Sequence, residues 1–154
     1  MSEPVVAQGL EGLEALVGRE LGPSEPLEIG QEAVESFADV TGDRQWIHVD
    51  VERAKAESPY GGPIVHGYFV LSLVPVLLFG KLLRVEGVGA MINYGADKLR
   101  FPDVTPSGAK ISLSAKLLEL TPKGPGKLGR FACAFQVEGA SKPCCVAEIL
   151  ILFA

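Results

Sequence analysis

The sequence predicts an α+β domain in which one long, nearly uncharged helix lies against an antiparallel β-sheet. Three observations carry this expectation. From Ser58 to Gly80 the chain holds no Asp, Glu, Lys or Arg, and HGYFVLSLVPVLLFG is mostly apolar. Beyond Gly89 the apolar period drops from helical spacing to two. The helical stretches precede the strands instead of alternating with them, which favours segregated layers over a parallel sheet.

The elements follow in order. A first helix is expected over Leu10–Val17, within an N-terminal helical segment of about residues 8–20, because Leu10, Leu13, Leu16 and Val17 share a face. Gly22-Pro23 ends it, and a short strand is expected over 26–29. A second helix, Gln31–Val40, places Val34, Phe37 and Ala38 at helical spacing and stops at Thr41-Gly42. Asp50 is a good N-cap for a short helix reaching Ala56. The long helix is expected from His66 to Leu83, bent near 71–75 because Pro75 removes a hydrogen bond and crowds the preceding turn. Strands are expected over 88–95, 110–117, 131–137 and 144–153, with a Gly- and Pro-rich turn over 121–129. The 154 residues read as a single domain, 1–154.

Composition narrows the function classes. Net charge is -5 and the Lys and Arg residues are scattered, so no basic patch is available for nucleic acid. The acidic N-terminal stretch does not read as a signal peptide. Three cysteines, no CxxC and only two histidines support neither a disulfide framework nor a zinc site. A reducing, cytoplasmic setting is expected. The 58–80 run is long enough for a membrane span, but Tyr60, Pro63, His66, Ser72 and Pro75 interrupt it. A helix buried inside a soluble fold is the better reading. A helix apolar on nearly every side needs a curled sheet or a second subunit to cover it, and a homodimer is therefore expected.

Both histidines sit in short, polar-edged runs, GDRQWIH and GGPIVHG. Asp43 and His48 lie five apart. A carboxylate beside an imidazole can hold a water and exchange protons near neutral pH. The same spacing also serves a helix cap and an ordinary loop histidine, and spacing alone weights the two readings about equally. In the second run, Pro63 fixes the chain before the helix, and Gly67 has no side chain to shield its amide, so a first-turn N–H there can meet an oxyanion. His66 reads as a wall of the pocket more than as a catalyst. The glycines form no GxGxxG, no GxSxG is present, and no cysteine lies near a histidine in sequence, so nucleotide binding and covalent acyl transfer are weakly supported.

The combination TGDRQWIHVD, GGPIVHGYFVLSLVPVLL and INYGADKLRFPDVTPSG resembles the MaoC-like hot-dog-fold (R)-specific enoyl-CoA hydratases, especially the small stand-alone mycobacterial and other actinobacterial members. The match runs from about residue 30 to the last strand and is most specific over 41–67. It implies a hot-dog fold, with an antiparallel sheet wrapped around a central helix and two subunits joined sheet edge to sheet edge. It also implies that Asp43 and His48 are the catalytic pair and that the Gly67 amide is the oxyanion donor. The family commonly has Asn and Pro where this chain has Gln45 and Trp46, a departure that bears on pocket shape. Asn93 and Gly95 would stand beside the substrate. Arg100 would be structural or would meet CoA phosphates, and Tyr60 and His66 would line the tunnel.

The implied reaction is reversible addition of water to a trans-2-enoyl-CoA, or its acyl-carrier-protein counterpart, giving the (R)-3-hydroxyacyl thioester with no metal or redox cofactor. Two rivals belong to other classes. A hot-dog thioesterase would direct the water at the carbonyl, but such enzymes generally use an acid from the helix region, and 58–80 has none. An accessory subunit of a two-chain dehydratase would not need the dyad, which this chain keeps.

Overall fold

The structure is a computed structural model describing residues 3–154. Its helices cluster in the first half of the chain. α1 spans Gly9–Glu14 and is shorter than expected, giving way to a turn before Val17. α2 spans Gln31–Thr41, burying Val34 and Ala38 and ending at Gly42, whose φ of 80° is the left-handed conformation that glycine adopts without steric cost. α3 spans Trp46–Val49 and α4 spans Val51–Glu57. Asp50 caps α4 as expected, its carboxylate accepting from the Arg53 N–H at 3.1 Å. α3 is a short helix that the sequence pattern does not announce, and it carries the chain helically through His48 itself.

The long helix is in two pieces. α5, Gly67–Leu71, gives way at Ser72–Val74 to a π-helix over Pro75–Leu82. The break falls where Pro75 predicts it. Proline sits at the first position of the second piece, where its missing N–H would have had no partner anyway. The helix also ends earlier than expected. Leu83 is already extended and opens β4, Leu83–Glu86, which pairs in parallel with β1, Val5–Gln8. Neither strand is evident from the apolar pattern, since Leu82 and Leu83 continue the helical run. No helix among the described residues is long and apolar enough to cross a membrane.

The main sheet is antiparallel, in the order β2-β6-β7-β8-β5. Its members are β2 (Glu20–Leu21), β5 (Met91–Arg100), β6 (Lys110–Lys123), β7 (Gly126–Val137) and β8 (Cys145–Phe153), and β3 (Leu27–Glu28) also pairs with β6. The expected turn over 121–129 shrinks to its tip, because β6 and β7 stay paired, across one irregularity between Leu117 and Glu119, out to Lys123 and Gly126. Ile111, Leu113, Leu117, Phe131, Phe135 and Phe153 line the inner face, fully buried with Leu77 and Leu78 of the π-helix. Phe79 meets Phe131 and Phe153 edge to face at 5.9 and 6.2 Å. Burying each such side chain contributes about 1.5–3 kcal/mol. Cys133 and Cys145 belong to the same core, and desolvation pushes both thiols up to about 12. Cys144, buried beside them, is raised for the same reason.

β5 is different. Among the described residues it pairs only with β8, carries two irregularities in register, and is exposed along nearly its whole length, including Met91, Ile92 and Tyr94. Arg130 of β7 reaches across to Asp97 at 2.7 Å, Glu119 at 3.1 Å and Glu148 at 3.4 Å, tying four strands together on the outer face.

Candidate active site

The turn at Gly42 ends α2 and delivers Asp43, and α3 delivers His48 within reach of it. The Asp43 Oδ2 to His48 Nε2 distance is 3.9 Å. That is too long for a direct hydrogen bond, but one water making two bonds of about 2.8 Å would close it. His66, at the N-cap of α5, lies beneath His48 with ring centroids 3.8 Å apart and an interplanar angle of 22°. Phe37 of α2 packs against the His66 ring at 4.9 Å.

Carbonyl partners fix both imidazoles. The His48 Nδ1 lies 2.7 Å from the Ile64 carbonyl oxygen, which can only accept, so Nδ1 carries the proton and Nε2 presents a lone pair toward Asp43. By the same argument the His66 Nε2–H donates to the Asp43 carbonyl at 2.8 Å. This leaves the His66 Nδ1 buried with no partner among the described residues. The Gln45 amide donates to Asp43 Oδ1 at 3.1 Å, and this bond is the main reason the carboxyl stays below its ordinary value. The His48 pKa is also lowered, first by burial and then by neighbouring His66, against the opposing effects of the Ile64 bond and the Asp43 charge. At neutral pH the pair is therefore an ionised carboxylate and a neutral imidazole. Both are acceptors.

Asp43, His48, His66 and Gly67 line one cavity of about 280 Å³ with Phe37, Thr41, Tyr68 and Phe101. Gly67 is the first residue of α5, so its N–H has no acceptor within the helix. A Cβ at Gly67 would stand 3.0 Å from the Phe101 ring, which would have to give by a few tenths of an ångström to admit it. Tyr68 also walls an adjoining groove of about 410 Å³, lined by Leu71, Ser72, Asn93, Gly95 and Ile149 among others. Asn93 and Gly95 thus stand beside the groove and not beside the dyad. Gln45 acts on Asp43 and lines neither space. Arg100 is exposed, with its guanidinium donating to the Leu99 carbonyl at 2.7 Å, and the half-exposed Tyr60 lines neither cavity. The sequence reading missed Phe37, Thr41 and Phe101 as lining residues. Phe37 and Thr41 are four apart on α2, a spacing that marks one helix face.

Asp43, His48 and His66 can bring one ligand atom each within 4.8 Å of one another. The two rings lie in nearly parallel planes, however, so their in-plane lone pairs do not converge on one ion. A larger cavity, about 630 Å³, lies at the sheet between Glu20–Pro23 and the middle of β6, β7 and β8. No carboxylate–imidazole pair lines it.

Comparisons with known proteins give the chain a family. Residues 13–128 match the family described as MaoC like domain. The chain is 40% identical over 147 residues to 3-hydroxyacyl-thioester dehydratase Z of Mycobacterium tuberculosis, covering 95% of this chain and 96% of that protein. It is 34% identical over 133 residues to Nodulation protein N of Rhizobium leguminosarum bv. viciae, covering 86% and 83%. Among solved structures, the unliganded R-hydratase PhaJ1 of Pseudomonas aeruginosa superimposes with a TM-score of 0.72 at 25% identity, covering 89% of this chain and 81% of that one. With its α+β hot-dog fold and a family match over most of its length, the chain belongs to the MaoC-like family of hydratase/dehydratase lyases.

Proposed function

We propose that the protein catalyses reversible hydration of trans-2-enoyl thioesters to (R)-3-hydroxyacyl thioesters. The observation that carries this reading is the pair of acceptors, Asp43 Oδ2 and His48 Nε2, 3.9 Å apart over the cavity that Gly67 lines. A water that donates one hydrogen to each acceptor keeps its lone pairs for attack on C3. Asp43 takes the water proton as the C–O bond forms. The π electrons of the double bond move toward the thioester oxygen, which the Gly67 N–H receives, and a proton from the Asp43/His48 pair then reaches C2. The net change is OH at C3 and H at C2, and the reverse sequence dehydrates. An oxyanion donor supplies about 2.7–4 kcal/mol and acid–base transfer about 10²–10⁴-fold in rate. The Tyr68-walled groove is the place for the acyl chain, with Asn93 and Gly95 along it. The names of the mycobacterial and Pseudomonas relatives point to the same reaction class. A homodimer joined along β5 accounts for that strand's exposed Met91, Ile92 and Tyr94.

The test is purified protein with crotonyl-CoA, without added metal or nicotinamide. Loss of the conjugated-thioester absorbance with formation of the (R)-3-hydroxy product is the expected result. Release of free thiol with the double bond intact would identify a thioesterase instead, and an (S) product would overturn the stereochemistry. Turnover only of acyl-carrier-protein thioesters would replace CoA as the carrier. Sedimentation at micromolar concentration should give a dimer, and an active monomer would remove that part of the reading.

A further inference from the structure

We propose that Gln31, the first residue of α2, is a positioning residue for His48, acting through Ser107 and the loop at Ile64. The inference rests on the hydratase reading of the site. Gln31 lines neither the dyad cavity nor the adjoining groove. Its amide nitrogen donates to the His48 carbonyl at 2.8 Å, and its amide oxygen accepts from the Ser107 hydroxyl at 2.8 Å. The orientation is unambiguous, because a backbone carbonyl only accepts, so nitrogen must face His48 and oxygen must face the hydroxyl. The same nitrogen lies 3.4 Å from Glu35 Oε1.

These bonds close a circuit. The Ser107 N–H donates to the Pro63 carbonyl at 2.9 Å, the Ile64 N–H to the Ile47 carbonyl at 3.0 Å, and the His48 ring to the Ile64 carbonyl at 2.7 Å. One loop therefore holds His48 at two points, the ring directly and the main chain through Ser107 and Gln31. The helical ladder of α3 stops at Asp50, with φ of -93° and ψ of 86°, so the His48 carbonyl stands at a helix end where orphan acceptors need a partner from elsewhere. Gln31 supplies it. Without that bond α3 can rotate about its remaining contacts, and a ring displaced by even a fraction of an ångström no longer shares a water with Asp43.

Gln31→Glu tests this with nearly the same shape. The carboxylate has no donor for the His48 carbonyl and stands near Glu35. A neutral hydrogen bond of this kind corresponds to up to about a tenfold change. The expected result is a kcat for crotonyl-CoA hydration lowered about tenfold with KM unchanged, and a ¹⁵N spectrum in which His48 no longer holds a single Nδ1–H tautomer. Ser107→Ala should change both in the same direction, and the double variant should be no worse than Gln31→Glu alone, since the two residues act through one chain of bonds. Should Gln31→Glu fail to fold, Gln31→Met removes the donor without adding charge and carries the same expectations. Folded variants with wild-type kcat and an unchanged His48 tautomer would overturn the proposal, as would fully additive effects in the double variant. A lower melting temperature with unchanged kcat would make Gln31 structural only. If the wild type hydrates no enoyl thioester, the reaction assignment fails, and the ¹⁵N signals of His48 still decide whether Gln31 positions it.

Discussion

Asp43 and His48 are five residues apart, yet they belong to differently built regions. His48 is 5% exposed, stacked on His66, and held by hydrogen bonds at both its ring and its carbonyl. The Asp43 side chain is 41% exposed and is steadied by one exposed glutamine. The contrast follows from the chemistry asked of each. A carboxylate that must be charged is best left wet, because desolvation would raise its pKa. An imidazole that must stay neutral gains from burial, because desolvation lowers its pKa. One short segment thus supplies two protonation states by running from surface to interior.

Substitutions should separate the two regions. The largest effect expected is on activity, where Asp43→Asn and His48→Ala should each lower crotonyl-CoA hydration about 10²–10⁴-fold, since the first removes the base and the second the imidazole that holds the water. Stability should then divide them. Asp43→Asn is nearly isosteric and exposed and should stay within about 0.5 kcal/mol of wild type in urea unfolding. His48→Ala strands the Ile64 carbonyl and should cost about 1–3 kcal/mol. Equal losses of stability would mean that the two regions are not built differently.

A pH series should show the next effect. Because the His48 pKa is lower in the folded protein than its ordinary 6.5, the unfolded chain binds more protons below that value. The stabilising contribution is therefore complete above about pH 6.5 and declines as the solution is made more acid. Melting temperatures should fall more steeply below pH 6.5 for wild type than for His48→Ala, and the acid limb of kcat/KM should lie below 6.5. Parallel melting curves would show that burial is not what keeps the ring neutral. The smallest change belongs to Gln45→Ala. Loss of that amide should let the Asp43 carboxyl climb back toward its ordinary 3.8 in an NMR titration, with a rate loss of no more than about tenfold.

Local chemistry made half of this site legible in advance. The αL glycine at 42, the Asp50 cap and the Pro75 break are decided within a few residues, and each is found where the sequence places it. The dyad's spacing and the Gly67 helix start belong to the same class. What was not legible depends on partners far along the chain. Gln31 meets Ser107 across 76 positions, and β1 meets β4 across a similar gap. Leu83 has the apolar character of the helix before it, so only its pairing with Val5 shows it to be a strand. β5 and β7 share a period of two, but the pattern cannot say that β7 has neighbours on both sides and β5 on one.

The three buried cysteines make the protein a quiet background for thiol labelling. With Cys133 and Cys145 pushed up to about 12 and Cys144 also raised, almost no thiolate exists at neutral pH to meet a maleimide or a disulfide reagent. A single cysteine introduced at an exposed position away from β5, Val40→Cys on α2 for instance, would then be the reactive one without removal of any native cysteine. A spin label or a fluorophore placed there would report distances from α2 in a protein whose core had not been altered to admit the probe.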